Sequence, residues 1–332
     1  MRRMAFLVFA GFLSFTTAEV FAGSSPNWPL NAFAWLLTVP LYGTHLLLLA
    51  HLAARTRRTS WSALYLFGVI FGFYETWITK VIWHGYFDVG AFAVGGIGPW
   101  FGLHETLGLA LFYHPVTSFL LPLAILSRLF PTFGRHFPEP SWLFGSGRAN
   151  RLGQIALIAV DGAGSGHNLA DFPTLLITWL PTILLLWGGY LLLIRLGAAG
   201  TGESGERMAT PILSLPEQIV TGAILLAIYL WSYGNLLSQN LPPPAIQVLT
   251  LGIYAAITAM IWALRASGPR DTPAAATLSG TGWIFPAVLA VALALLPLRI
   301  FAPALEQGIV AIAFLAMIPA GVALFLLLPT RS

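Results

Sequence analysis

The chain contains no cysteine, which excludes disulfides, thiolate metal ligands and a cysteine nucleophile, and leaves the redox compartment unread. Charge is almost as scarce. Only 8% of the 332 residues are Asp, Glu, Lys or Arg, against roughly a quarter in a soluble domain, and no stretch resembles an independent soluble unit. The excess of 16 basic over 12 acidic residues is too small to mark a nucleic-acid binder. In so apolar a chain it reports orientation, because basic residues are retained on the cytoplasmic side of a membrane. An internal repeat is also lacking, so a transporter assembled from two duplicated halves has no support.

What the chain does have is hydrocarbon-soluble sequence: 57% of its residues are hydrophobic. Runs of about 20 apolar residues recur, each long enough to cross a bilayer as a helix. The expected fold is all-α, a polytopic integral membrane helix bundle forming one membrane domain over residues 1–332. Residues 1–22 carry a basic start, an apolar core and a small-residue end, and so fit either a cleavable signal peptide or a retained first membrane helix. Further spans are expected at 30–53, 61–83, 105–130, 173–196, 219–237, 245–264, 282–301 and 309–328. Arg55, Arg57 and Arg58 mark the loop after the second span as cytoplasmic, which places a retained N-terminus there too. The Gly-rich stretch 85–102 is too interrupted to cross and is expected at the outer interface.

The count of about nine or ten crossings turns on one segment. With nine, Arg195, Arg207, Arg265, Arg270 and Arg331 would all fall outside, against the retention of basic residues on the inner side. One more crossing within 152–172 would repair every later loop. Only the first half of that stretch is apolar, and the rest carries Asp161, His167, Asn168 and Asp171 among glycines. The expectation is therefore a broken or re-entrant segment, or else an interfacial helix and a loop.

Ionisable residues at membrane depth are costly and usually face the bundle interior. The stretch 75–114 concentrates them. At a rise of about 1.5 Å per residue, Glu75 on the third span and His114 on the fourth both lie about 12–13 Å deep. Lys80, His84, His104 and Glu105 lie nearer the outer surface. One site cannot use them all, because Glu75 and His84 are about 180° apart around a helix and His104 and His114 are about 15 Å apart along one. Two layers are expected instead: a deep Glu75–His114 pair with acid–base character, and a mouth group for substrate or ion binding. His84, His104 and Glu105 there are candidate ligands for a divalent metal, although solvation by interfacial water and headgroups is the preferred explanation of them. The His104–Glu105 pair is not a zinc-protease motif, since Gly108 stands where the second histidine is required. Asp161, His167 and Asp171 are secondary candidates.

His114–Pro115 within a span predicts a kink. Haem held by His45 and His114 is disfavoured, because His45 counts toward the cytoplasmic half and His114 toward the outer half. Tyr229, Ser232 and Tyr233 form a polar stripe suited to helix–helix hydrogen bonding. The leading expectation is an intramembrane enzyme acting on a lipid, lipid-linked or membrane-peptide substrate, in a prokaryotic cytoplasmic membrane. A proton- or cation-coupled transporter of small solutes and a non-catalytic subunit of a membrane complex are the alternatives. The bilayer is the expected partner, with a lipid or small solute as ligand, and no nucleic acid.

Overall fold

The computed structural model describes residues 2–74, 107–169, 171–198, 208–234, 244–266 and 282–327. Every regular element among them is helical. In chain order the α-helices are α1 (Arg2–Phe15), α2 (Val39–Arg55), α3 (Trp61–Gly72), α4 (Leu121–Leu129), α5 (Pro131–His136), α6 (Arg148–Asn168), α7 (Phe172–Arg195), α8 (Leu215–Gly234), α9 (Pro244–Ala263), α10 (Ile284–Phe301) and α11 (Pro303–Leu327). Three π-helical stretches extend them: Thr16–Val20 continues α1, Ala34–Thr38 leads into α2, and Leu109–Leu120 leads into α4. Six of the resulting helices are long and apolar enough to cross a membrane. The helices at 61–72, 215–231 and 247–263 are shorter but equally apolar. The chain is a polytopic membrane helix bundle.

Burial separates the centre from the periphery. The continuous helix Leu109–Leu129 is 94% buried and Arg2–Val20 is 72% buried, whereas Ile284–Phe301 and Pro303–Leu326 are only 22% buried. The outer helices turn Leu, Ile and Trp side chains outward, as a surface facing lipid tails requires. Association inside lipid depends on close packing more than on the hydrophobic effect, and glycine makes that approach possible here. A Cβ at Gly11 of α1 would come 2.9 Å from the Cα of Gly43 in α2. A Cβ at Gly162 or Gly166 of α6 would come within 2.5 and 2.8 Å of Val291 and Leu295 in α10. Gly162 and Gly166 are four residues apart and so present one smooth face to α10.

Polar contacts gather the helix ends into two rims. At the first, Arg3 donates to Glu217 (3.0 Å) and to the carbonyls of Met208 (2.8 Å) and Ile212 (3.2 Å). Leu213 N–H donates to His51 Nδ1 (3.0 Å), and Trp61 Nε1 donates to the Leu324 carbonyl (3.0 Å). At the second, Asn168 donates to the Ala22 carbonyl (2.8 Å), Trp28 Nε1 to Thr182 Oγ1 (2.9 Å) and Arg299 to the His167 carbonyl (2.7 Å). Helix α6 starts beside the first rim, where Asn150 and Gln154 hold the turn Pro140–Phe144 and Trp142 meets Trp61. It ends at the second. The stretch expected to be broken is one continuous α-helix from Arg148 to Asn168.

Candidate functional site

His114 is the deep ionisable side chain the sequence singles out, and it is 2% exposed. It lies on the π-helical stretch Leu109–Leu120. The following Pro115 has no N–H to give, and the helix widens into π-helical turns around it. Ser118, one turn on, holds His114 Nδ1 at 3.0 Å. Thr117 returns its hydroxyl to the Tyr113 carbonyl, occupying part of the backbone that the widened turn frees. Helix α3 closes over this surface through Gly68 and Gly72: a Cβ at Gly72 would come 3.0 Å from Ala110 Cα and 3.1 Å from His114 Cβ.

Phe71 of α3 brings a second histidine to the same place. His45 of α2 stacks on it at 4.9 Å and 10°, and His114 lies 6.0 Å from it at 25°. Tyr42 flanks His114 at 6.3 Å, and Tyr74 flanks His45 at 4.4 Å. His45 Nδ1 donates to the Leu41 carbonyl at 2.8 Å. The sequence count placed the two histidines in opposite halves; the structure puts both against one phenyl ring. The count went wrong at the start of α2. Residues 28–30 form a 3₁₀ turn and Asn31 is extended, so the helix begins at Ala32, two residues later than expected, and His45 sits about 3 Å less deep.

Tyr74 ends the described part of this region. Glu75, Lys80, His84, His104 and Glu105 lie outside the described residues, and with them the partner carboxylate and the whole mouth group. Tyr74 packs on Tyr229 of α8 at 4.3 Å, so one member of the expected polar stripe faces the histidine cluster; the side chains of Ser232 and Tyr233 are outside the description. Among the described residues no group of three His, Asp or Glu side chains could hold a metal ion.

A model of an uncharacterized membrane protein family matches residues 8–332. The chain belongs to that family. An uncharacterized protein of Archaeoglobus fulgidus is 40% identical over 120 residues, which cover 36% of this chain and 37% of that one; the match thus spans little more than a third of the relative's length. No solved structure matches.

The three secondary candidates of this family member separate sharply. Asp161 is fully buried on α6, and neither carboxylate oxygen has a hydrogen-bond partner among the described residues. Ser165, one turn on, receives Trp179 Nε1 of α7 at 3.1 Å. His167 belongs to the second rim, where its Nδ1 meets Glu306 Oε1 at 2.8 Å. Asp171 is exposed at the N-cap of α7 and accepts the Thr174 N–H at 2.8 Å, a bond that holds its carboxyl below the ordinary aspartate range. It is a helix cap and does not join the core.

Two buried carboxylates escaped the sequence reading as site residues. Glu306 is 2% exposed but sits among residues that read as a connector before the last span. Its signal was the proline at 303, which marks a first helical turn. Glu19 is 8% exposed on the π-helical end of α1 and accepts hydroxyls from Ser24 (2.6 Å) and Ser25 (2.8 Å). The Ser-Ser pair looked only like a turn.

Proposed function

We propose that this membrane protein is an enzyme whose acid–base site lies inside the bundle and whose substrate arrives laterally from the bilayer. The observation that carries this reading is a buried imidazole, His114, held by Ser118 on a π-helical stretch, with a second imidazole across Phe71. π-Helical turns cost hydrogen-bond geometry and recur at functional sites. An imidazole can take or give a proton in a reaction. In this reading Ser118 fixes the ring and Glu75 supplies the carboxylate that exchanges the proton. Lys80, His84, His104 and Glu105 serve the entrance. The substrate class is a lipid, a lipid-linked molecule or a membrane peptide, and the site is that of a prokaryotic cytoplasmic membrane protein.

The test compares membranes from cells carrying the wild type, His114→Gln, Glu75→Gln and no protein, by untargeted lipid and membrane-peptide analysis. A species formed or consumed only with the wild type, while both variants keep its melting temperature, supports the enzyme. If no species differs, or the difference survives in both variants, the enzyme reading falls.

Asp161 favours a second reading, a proton-coupled transporter. A buried carboxyl without a hydrogen-bond partner among the described residues is expensive as helix glue, and a reversible proton is a use for it. Reconstituted vesicles with an imposed pH gradient would then accumulate a small solute, and Asp161→Asn would abolish the gradient dependence. Uptake that is indifferent to the gradient would remove proton coupling.

A further inference from the structure

At the first rim, α6 and α11 do not close on one another. An apolar cavity of about 250 Å³ remains, lined by Ala149, Gly153 and Ala156 of α6, Ala320 and Leu324 of α11, and Trp142. The gap follows from the side chains: each helix offers glycine or alanine where the other could have accepted a larger residue. The volume falls below the roughly 300–1,000 Å³ of pockets for compact ligands and suits one linear chain. Its end wall is fixed. Asn150 donates to the Trp142 carbonyl at 2.6 Å, Gln154 donates to the Leu143 carbonyl at 2.6 Å, and Trp61 packs against Trp142 at 5.5 Å. Paired tryptophans of this kind settle at the headgroup level of a bilayer.

The charge lies at that level too. Arg148 and Arg151 are exposed on the first turns of α6. Arg148 stands four residues before Leu152, which also lines the cavity, so its side chain shares the stripe that leads into it. Arg151 is kept near the start of α6 by its Nε donating to the Ser146 carbonyl at 3.1 Å. Neither guanidinium has an ion-pair partner among the described residues. The acid nearest Arg148 in sequence, Glu139, already accepts the Trp61 N–H, and the one nearest Arg151, Asp161, is buried in the bundle.

We infer that this cavity is a binding site for an anionic phospholipid, with one acyl chain between α6 and α11 and the phosphate against Arg148 and Arg151. Basic pockets between helices at the cytoplasmic face are suited to such headgroups. The lipid fills a gap that the protein's own side chains leave open, and the two arginines select its charge. This site is separate from His114 and stands or falls independently of the enzyme reading.

The test uses the full-length protein, purified and delipidated in neutral detergent, with phosphatidylglycerol and phosphatidylcholine of identical chains as probes. Phosphatidylglycerol should raise the melting temperature saturably and be retained by the intact protein in native mass spectrometry; phosphatidylcholine should do neither at the same concentration. Arg148→Gln with Arg151→Gln should weaken phosphatidylglycerol binding about thirtyfold, at roughly fivefold per basic residue near an anionic surface. Arg195→Gln, an exposed arginine on another helix, should leave it unchanged. Ala320→Leu should fill the cavity and weaken binding with both arginines intact. If Ala320→Leu does not fold, phosphatidylglycerol carrying a photoreactive chain should label α6 or α11 of the wild type. Equal stabilisation by glycerol phosphate would show that a free anion suffices and would overturn the acyl-chain site. Equal binding of both lipids, full binding in Ala320→Leu, or labelling confined to other helices would overturn it as well.

Discussion

The side chains that matter most here are those that cost the fold something. Asp161 is the clearest. A buried polar group without a partner forfeits about 1–3 kcal/mol, and an apolar residue of similar size recovers it. Asp161→Leu is therefore expected to melt no lower than the wild type, by scanning fluorimetry in detergent, while any proton-linked activity disappears. A fall of several degrees would mean that the carboxyl is bonded after all and serves the architecture. Gly68 shows the opposite economy. A Cβ there would come 2.6 Å from Pro115 Cα, and backbone cannot yield as a flexible side chain does. Gly68→Ala should lower stability by about 1–3 kcal/mol, the usual cost of overpacking. Gly188 has open space where its Cβ would be, so Gly188→Ala should gain about 0.5–1 kcal/mol of helix propensity. If the two alanines behave alike, the tight approach of α3 to the His114 helix is not real. His114 was readable in sequence as an ionisable residue within an apolar span, whereas its bond to Ser118 was not. The meeting of His45 with His114 was not, because it depends on where α2 starts and on Phe71, an ordinary aromatic until the fold gives it two imidazole neighbours.

At the scale of elements, the first helix carries more than its sequence advertises. Its basic start and apolar core fit a cleavable signal as well as a retained helix. In the structure Arg3 reaches across to Glu217 and the carbonyls of Met208 and Ile212, tying α1 to the start of α8. Phe6 packs edge-on to Phe130 at 5.3 Å, and Ser14 donates to the Ser118 carbonyl at 2.7 Å. That last bond places α1 directly behind the residue that orients His114. None of these partners lies within 100 positions of its mate, and contacts at that separation leave no trace in local periodicity. Cleavage after residue 22 would strip a face from the most enclosed helix and leave Glu217 without Arg3. The expected outcome is that purified protein from membranes retains residues 1–22 in its intact mass. A mass lacking them would show that the bundle forms without α1 and would detach Glu19 from any site.

For the whole molecule the open quantity is the number of crossings, and it rests on α6. The apolar helices were visible as hydrophobic runs because lipid on one side and core on the other both reward apolar side chains. Helix α6 was half hidden because its second half is buried against protein rather than lipid: Gly162 and Gly166 meet α10, Gly164 would touch the Ala22 carbonyl, and Ser165 takes a tryptophan N–H. Such a surface has to be small before it has to be greasy, so hydropathy passes over it. The two rims supply what hydropathy lacks. Since α6 starts beside Trp61 and ends beside Ala22, it runs from the rim of the Arg55–Arg58 loop to the opposite one, as a tenth crossing would require. With ten, Arg148, Arg151, Arg195, Arg265 and Arg270 would share a side with Arg55, Arg57 and Arg58, as retention of basic residues demands. Among the described residues Arg299 is the exception, and the bond to the His167 carbonyl holds it at the second rim. The absence of native cysteine makes the test direct. A cysteine at Ser279, between α9 and α10, should resist an impermeant thiol reagent in intact cells and react after permeabilisation, while one at Ser24 should react in both. Labelling of Ser279→Cys from outside would return α6 to one face of the membrane and leave the later arginines on the wrong side.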